Sequence, residues 1–285
     1  MAEITVRPPK NDEKVEFFEV YRTGIPDVTD MPFARFARWW DRSLVNGDLK
    51  NFWRIAEVDG KIVGVAINII ISSLGWGVIW ELAIHPDWRK KGIGRAIVED
   101  SEAAFLTHIT NMTHYGIALK THSLEAVKFV ENLDYGIQSL ILRLDGPALG
   151  DPGDSALQIQ IATLDHIPIL IHLEPDTYWG HRDPKEWEYV IRGGGCYVIF
   201  EPEANAIVGF IQLVQDSKEE SCTTVSFAFK PGYGKAVVKR AHCEIQTDNV
   251  VFWIEDKHDS ILDYLYAKGY KRTEAEFLAK KRIKR

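Results

Sequence analysis

The sequence predicts a mixed α/β protein, a mostly antiparallel sheet with flanking helices, built twice in tandem. Three observations predict this. Apolar residues alternate with period two in some stretches and recur at helical spacing in others. Two strands, a G-x-G turn, a helix, a strand, a helix and a strand occur in the same order in both halves, which reads as an internal duplication. Between the halves, Asp145 to Ser155 runs D-G-P-A-L-G-D-P-G-D-S with no apolar period, the composition of a linker. The expected domains are residues 1–145 and 156–285, joined by 146–155.

In the first half, Ile4 to Arg7 is a short strand. Asn11 to Arg22 and Met31 to Val45 are helices, the second with Phe33, Phe36, Trp39 and Trp40 at helical spacing. Phe52 to Val58 and Lys61 to Ser72 are strands joined by Asp59-Gly60, a hairpin turn. Val78 to His85 is a third strand, ended by Pro86. A helix from Ile93 to Leu106, a strand from Tyr115 to Thr121, a helix from Ser123 to Leu133 with Ser123 as N-cap, and a strand from Ile137 to Leu144 follow. In the second half, Tyr178 to Ile191 is helical. Cys196 to Glu201, Ala206 to Gln215 and Cys222 to Phe229 are strands. A helix opens after Pro231-Gly232-Tyr233-Gly234, and Val250 to Ile254, Ser260 to Ala267 and Arg272 to Ala279 are strand, helix and strand.

The chain has 285 residues, 46% hydrophobic and 26% charged, the profile of a globular protein with room for two domains. Its net charge of −7 is even, with 17 basic against 20 acidic residues up to residue 150 and 17 against 21 after it. Neither half has the basic balance of a nucleic-acid binder. Cys196, Cys222 and Cys243 are odd in number and share no C-x-x-C spacing, which argues against a disulfide framework or a zinc site. Isolated thiols, and no signal-like apolar stretch between Met1 and Pro9, give a cytoplasmic expectation. Ile62 to Ile84 approaches the length of a membrane span, but Asn68, Ser72, Ser73 and Glu81 interrupt it. Two strands around a turn explain it better, and no membrane partner is expected.

The feature that carries chemistry lies between the third strand and the helix after it: Arg89-Lys90-Lys91-Gly92-Ile93-Gly94-Arg95. Glycines at a strand-to-helix turn let backbone N–H groups approach an anion, and the helix N-terminus adds roughly half a positive charge. The four basic side chains suit a pyrophosphate. The bland alternative is a solvated basic turn. There is no G-K-[ST] and no G-x-G-x-x-G with an acid about twenty residues on, which sets aside Walker-type and dinucleotide sites.

The stretch Trp80 to Val98, with an apolar strand, His85-Pro86, and Arg89, Gly92 and Gly94 spaced R-x-x-G-x-G, resembles the acetyl-CoA signature of the GCN5-related N-acetyltransferase (GNAT) family. The resemblance extends over residues 1–145 in element order. It implies that the backbone of Leu82, Ala83 and Ile84 pairs with the pantetheine arm, and that the amides of Lys90, Lys91, Gly92, Ile93, Gly94 and Arg95 hold the pyrophosphate. Ser123 and Phe129, on the helix after the fifth strand, match the family's cofactor-contacting helix. The implied activity is acetyl transfer from acetyl-CoA, as co-substrate, to a primary amine of a small molecule or peptide by direct attack. The acceptor is not named by the sequence, and either a monomer or a homodimer fits.

Such a reaction needs a base for the amine, a donor for the thioester oxygen and an acid for the thiolate. Glu81, in an otherwise apolar strand, is the first candidate base, and the family often carries an acid on this strand. The alternative is an exposed edge charge or an ion-pair partner. His85 is the second candidate, against a plain turn residue. The departure is at the acid: Val130 stands where the family often has Tyr, and Tyr135 lies further along. Two other functions therefore stay open: a non-catalytic CoA-binding sensor or scaffold, and a protein N-terminal or lysine acetyltransferase.

The second half carries Phe229-Lys230-Pro231-Gly232-Tyr233-Gly234 at the equivalent turn. Phe229 replaces the Arg, and Pro231 removes an N–H. This resembles a degenerate GNAT copy with a structural role. Trp39, Trp40, Trp76, Trp179 and Trp187 are either acceptor-pocket walls or core. His172, His181, Asp176 and Asp183 lack metal-ligand spacing and read as surface or linker polar groups. The run Lys280 to Arg285 reads as a solvated tail.

Overall fold

The computed structural model describes residues 3–120, 123–149, 156–175, 181–215 and 221–283. The chain forms two compact units. One comprises Met1–Leu119, Ser123–Ile137 and Leu278–Arg285, the other Lys120–His122 and Gln138–Phe277.

The first unit runs β1 (Thr5–Arg7), α1 (Lys14–Gly24), α2 (Phe33–Asn46), α3 (Asp48–Asn51), β2 (Arg54–Val58), β3 (Lys61–Ile71), β4 (Trp76–Ile84), α4 (Ile93–His108), β5 (His114–Lys120) and α5 (Leu124–Glu131). Strands β1 to β4 pair antiparallel in order, and β5 joins β4 in parallel. Asp59 and Gly60 both have positive φ, 50° and 74°, which matches the twist of the β2–β3 hairpin. The long apolar run Ile62 to Ile84 is the β3–β4 antiparallel pair. Its polar interruption is accommodated: Asn68 is 1% exposed, and its Nδ2 donates to Phe52 O (2.7 Å) and Ser101 Oγ (2.8 Å). One face of this sheet is covered by α1 and α2, whose Phe17, Phe36 and Trp40 pack with Trp53 in an aromatic cluster. Ile97, Val98 and Phe105 of α4 are buried as well.

The second unit contains β6 (Gly136–Pro147), β7 (Gln158–Ile161), α6 (Ile167–Leu173), α7 (Pro184–Gly193), β8 (Cys196–Glu201), β9 (Ala206–Gln215), β10 (Cys222–Phe229), α8 (Gly234–His242), β11 (Asn249–Glu255), α9 (Asp259–Ala267) and β12 (Lys271–Arg282), which passes into the first unit at Leu278. Strands β7 to β10 pair antiparallel in order, β10 and β11 are parallel, and β11 pairs antiparallel with β6.

This division of the chain has a physical cause. The strand Gly136–Pro147 pairs over its second half with β11, from Asn249↔Pro147 to Glu255↔Ile141, so that half is held with the second unit. Gly146 and Pro147 of the expected linker finish that strand, and residues 150–155 lie outside the described residues.

The residues read as a solvated tail are not free at Lys280 and Lys281. Lys280 Nζ lies 4.8 Å from the Trp76 ring centroid, and Lys281 Nζ is 2.9 and 3.0 Å from the Glu102 carboxylate oxygens. His181 is also not a surface group: it is 8% exposed and 3.9 Å from Glu174. Asp183 is the N-cap of α7, accepting from Lys185 N and Glu186 N.

Candidate functional site

Strand β4 is the backbone of the site. On one edge it pairs with β3 through Ala66↔Leu82, Val65↔Ala83 and Gly64↔Ile84. On the other edge its parallel pairing with β5 stops at Ile79↔Ile117. The register with β3 slips at the same place: Ile67 faces Glu81 and Asn68 faces Ile79, leaving Trp80 as the extra residue of a bulge. A bulge bends its strand and increases local twist. Here it coincides with the point where β4 and β5 part, so the second edge of β4 from Trp80 to Ile84 is not laddered to β5. Backbone N–H and C=O groups on such an edge can pair with an extended ligand.

The loop follows directly. Pro86–Trp88 forms a single 3-10 turn, and His85 closes it: its Nδ1 accepts from Asp87 N at 3.4 Å. Lys90 has φ 60° and Gly92 φ 84°, the left-handed region that favours glycine. Gly92 is the N-cap of the 16-residue helix α4, and no side chain caps the first turn, which also contains no acid. The first-turn amides of α4 are therefore not claimed by a capping side chain, as an anion cradle requires. Gly94 has a different need. A Cβ there would sit 3.2 Å from the Phe129 ring, so glycine at this position is what allows α5 to lie against the start of α4.

The basic side chains around the cradle are unequal. Arg89 reaches back to the chain, its Nη2 3.0 Å from Gly24 O and its Nε 3.4 Å from Ile84 O, so it ties the end of α1 to the end of β4. Lys91 Nζ lies 4.5 Å from the Trp88 ring centroid. Lys90 meets Glu125 at 3.1 Å and Arg95 meets Glu99 at 3.7 Å, all four side chains well exposed and weakly held. Ile93 is a core residue, 2% exposed. Only its backbone is placed for a ligand. Ser123 Oγ accepts from Ala126 N at 3.3 Å as the N-cap of α5.

The candidate bases differ in setting. Glu81 is half-buried on β4 and hydrogen-bonded with the hydroxyl of Tyr21, which is 1% exposed on α1. Burial first, and then the Glu81 carboxylate, push the Tyr21 hydroxyl well above its ordinary range, with Arg35 pulling the other way. Tyr21 is thus a neutral donor aimed at Glu81. Sequence reasoning did not single it out; the signal was a phenol among the phenylalanines of a buried helix face, since a buried hydroxyl needs a partner. His85, by contrast, is occupied in its own turn. At the acid position, Val130 is fully buried. Tyr135 donates to Glu102 at 2.9 Å and is 3% exposed. Trp40, Trp76 and Trp187 are core, at 0, 4 and 0% exposed, and Trp39 stacks edge-on against Trp53; Trp179 lies outside the described residues.

A β4 bulge, strands parting after it, and an uncapped glycine-initiated helix make up the site's geometry, and residues 48–136 match the family model described as "Acetyltransferase (GNAT) domain". Residues 48–136 form a GNAT acetyltransferase domain. No curated protein matches the chain. Among solved structures, a GCN5-related N-acetyltransferase from Sphaerobacter thermophilus is similar at TM-score 0.70 and 12% identity, over 99% of this chain and 96% of that one. A tandem GNAT protein from the clavulanic acid biosynthesis pathway is similar at TM-score 0.62 and 12% identity, over 98% of both chains. A GCN5-related glucosamine N-acetyltransferase region of a fungal multi-domain β-N-acetylglucosaminidase gives TM-score 0.71 and 13% identity, over 99% of this chain and 38% of that one. At these identities the likeness is one of fold, and the fold is a tandem GNAT fold.

The turn of the second unit equivalent to the cradle is built differently. Gly232 keeps the left-handed conformation, with φ 90°. The N-cap of α8 is Tyr233, in the right-handed region, and its hydroxyl donates to Glu201. Gly234 is enclosed: a Cβ there would meet Ile261 at 2.7 Å and Phe229 at 2.8 Å. Phe229, standing where the first unit has Arg89, therefore fills the space beside the turn. Among the described residues, no group of His, Cys, Asp and Glu is placed to hold a metal, and no helix is long and apolar enough to cross a membrane.

Proposed function

We propose that the first unit transfers an acetyl group from acetyl-CoA to a primary amine by direct attack. The observation that carries this is the conjunction, on one strand and the helix after it, of the edge of β4 at Leu82 to Ile84, past the end of its pairing with β5, with an uncapped turn at Gly92. The donor set fits a pantetheine-pyrophosphate ligand: a run of backbone N–H and C=O groups in Leu82, Ala83 and Ile84, then the amides of Lys90 to Arg95 with Lys90, Lys91 and Arg95 around them. Acetyl-CoA, when bound, supplies an acyl carbon activated as a thioester.

The chain's own residues supply the rest. Glu81 accepts the proton that the acceptor ammonium must lose before its lone pair can attack. Tyr21 fixes the Glu81 carboxylate by donating to it, and stabilises its charged form. Backbone N–H groups on the unladdered edge of β4 are the donors at hand for a carbonyl oxygen gaining negative charge. Neither Val130, buried on α5, nor Tyr135, beyond its end and committed to Glu102, returns a proton to the leaving sulfur. Solvent is the remaining proton source for the sulfur, and as the C–S bond breaks the second proton of the attacking nitrogen passes to solvent, leaving the neutral amide.

The test is thiol release from acetyl-CoA against a panel of small primary amines, amino-terminal peptides and lysine peptides, alongside calorimetric titration of acetyl-CoA. Amine-dependent release supports transfer. The absence of a usual acid at Val130 favours one second reading, a protein that binds CoA without turnover; binding with no release for any amine selects it. No binding at all sinks both.

A further inference from the structure

The second unit keeps a cleft where its strands part. Pairing of β10 with β11 stops at Val225↔Phe252, and a cavity of about 300 Å³ lies beyond, lined by the ends of both strands, a size at the lower end of small-ligand sites. Phe227, Phe229 and Trp253 line it with aromatic surface, and Glu255, Lys257 and His258 bring charge. Phe227 and Phe229 are stacked, with ring centroids 5.9 Å apart. The same Phe229 closes off Gly234, so what the cleft has lost is room at the turn, not its own volume.

The ionisable groups on this cavity are not equivalent. Arg182 is fully engaged: it donates to Glu174 Oε1 (2.9 Å) and Gln212 Oε1 (2.8 Å), and lies over the Trp187 ring at 4.8 Å. Glu174 is likewise saturated, accepting from Arg182 N (2.7 Å) and Trp187 Nε1 (3.2 Å) as well. Glu255 is different. It is 6% exposed; Oε2 is in contact with the Lys257 ammonium, and Oε1 has no hydrogen-bond partner. Burial pushes its carboxyl up, but His258 and Lys257 more than offset this and hold it below its ordinary value, so it is ionised. Its counter-charge is the Lys257 ammonium, in contact with Oε2, and His258 Nε2 lies 3.7 Å away. Lys257 is 57% exposed and can swing into water, provided an incoming cation replaces the charge it withdraws from the buried carboxylate. A buried carboxylate with incomplete hydrogen bonding is a strong site for a cation that can bring its own N–H donors.

We propose that this cavity binds a primary ammonium ligand, with Glu255 as its counter-ion, Phe227, Phe229 and Trp253 as its aromatic wall, and Lys257 as a tethered cation that the ligand displaces. An ammonium gains both from the carboxylate and from the faces of the rings. An anion of the same size would find one exposed lysine. The inference stands on the second unit alone and does not depend on acetyl transfer by the first.

The test is calorimetric titration of the full chain with benzylammonium chloride and, as the neutral isostere, benzyl alcohol. The ammonium is expected to bind and the alcohol to bind at least tenfold more weakly. Lys257→Ala, at an exposed position, should tighten the ammonium about fivefold, because the tethered cation that competes for the Glu255 carboxylate is gone. Glu255→Gln, checked for unchanged folding by thermal melt, should abolish the preference for the ammonium. An amine held in the first unit would respond to neither variant. Equal binding of alcohol and ammonium, or a Lys257→Ala chain that binds the ammonium no better than the parent, overturns the proposal.

Discussion

The Lys281 ammonium lies 2.9 and 3.0 Å from the two carboxylate oxygens of Glu102 on α4. Tyr135 donates to the same carboxylate, and Lys281 is within 5.6 Å of the Tyr115 ring centroid and 5.4 Å of the Tyr135 ring centroid. The ion pair is largely shielded, with side chains 25 and 15% exposed. Replacing Lys281 by Ala leaves a shielded carboxylate with one donor fewer. The expected cost is about 1–2 kcal/mol, between the values for exposed and buried pairs, read as a lower denaturant midpoint at unchanged slope.

The two glycines of the cradle should fail for different reasons. Gly92→Ala forces a side chain into the left-handed region, at about 1–2 kcal/mol, and should weaken acetyl-CoA roughly tenfold. Gly94→Ala instead presses on Phe129. Measured against Phe129→Leu alone, which itself alters the helix expected to contact the cofactor, Gly94→Ala should cost little further affinity, whereas Gly92→Ala should cost as much as in the parent. Titration of the single and double variants reads the difference directly.

Tyr21 is hydrogen-bonded with the carboxylate of the proposed base. Its hydroxyl favours the charged form of Glu81, so removing it raises the Glu81 pKa. The acidic limb of kcat/KM should therefore move to higher pH in Tyr21→Phe, by about one unit for a charge-assisted hydrogen bond. Glu81→Gln should lower kcat/KM by about 10²–10⁴ and remove that limb. A Tyr21→Phe profile that falls in height without moving along the pH axis would make Tyr21 a packing residue only.

His242 gives the second unit an acid sensitivity. It is 2% exposed between the rings of Phe252 and Tyr270, and its Nε2 has no hydrogen-bond partner. Burial lowers its pKa to about 4. The native state therefore keeps His242 neutral while the unfolded state binds a proton below about 6.5. This contribution to stability is present above that value and is lost as pH falls toward 4. In His242→Phe the stability difference from the parent should shift in the variant's favour across that window, measured by denaturant unfolding at several pH values.

Much of the fold was legible because its strands and helices have clean periods. Cys196–Glu201, Ala206–Gln215 and Cys222–Phe229 fall where the alternation places them, and Ser123 caps α5 as its residue type suggests. What escaped was short or non-local. The helix Ile167–Leu173 is an apolar run, I-P-I-L-I-H-L, with no polar face to show a period. The strand Gln158–Ile161 is four residues. The bulge at Trp80 leaves no mark in composition, since it is a slip of register against β3. Tyr21 and Glu81, like Lys281 and Glu102, meet only through tertiary structure, and a single sequence does not pair them. The glycine turn was legible as a turn; that Gly94 answers to Phe129 was not.

The membership of Leu278–Arg285 in the first unit bears on the order in which the protein is made. A ribosome delivers Glu102 early and Lys281 only after every residue of the second unit has been added. The first unit therefore emerges unable to finish itself, and must wait through the synthesis of its sibling with the Glu102 carboxylate lacking its counter-charge and residues Leu278 and Ala279, both fully buried in the finished molecule, still unmade. Nascent chains halted before residue 278 should be far more protease-sensitive in residues 1–137 than chains released in full.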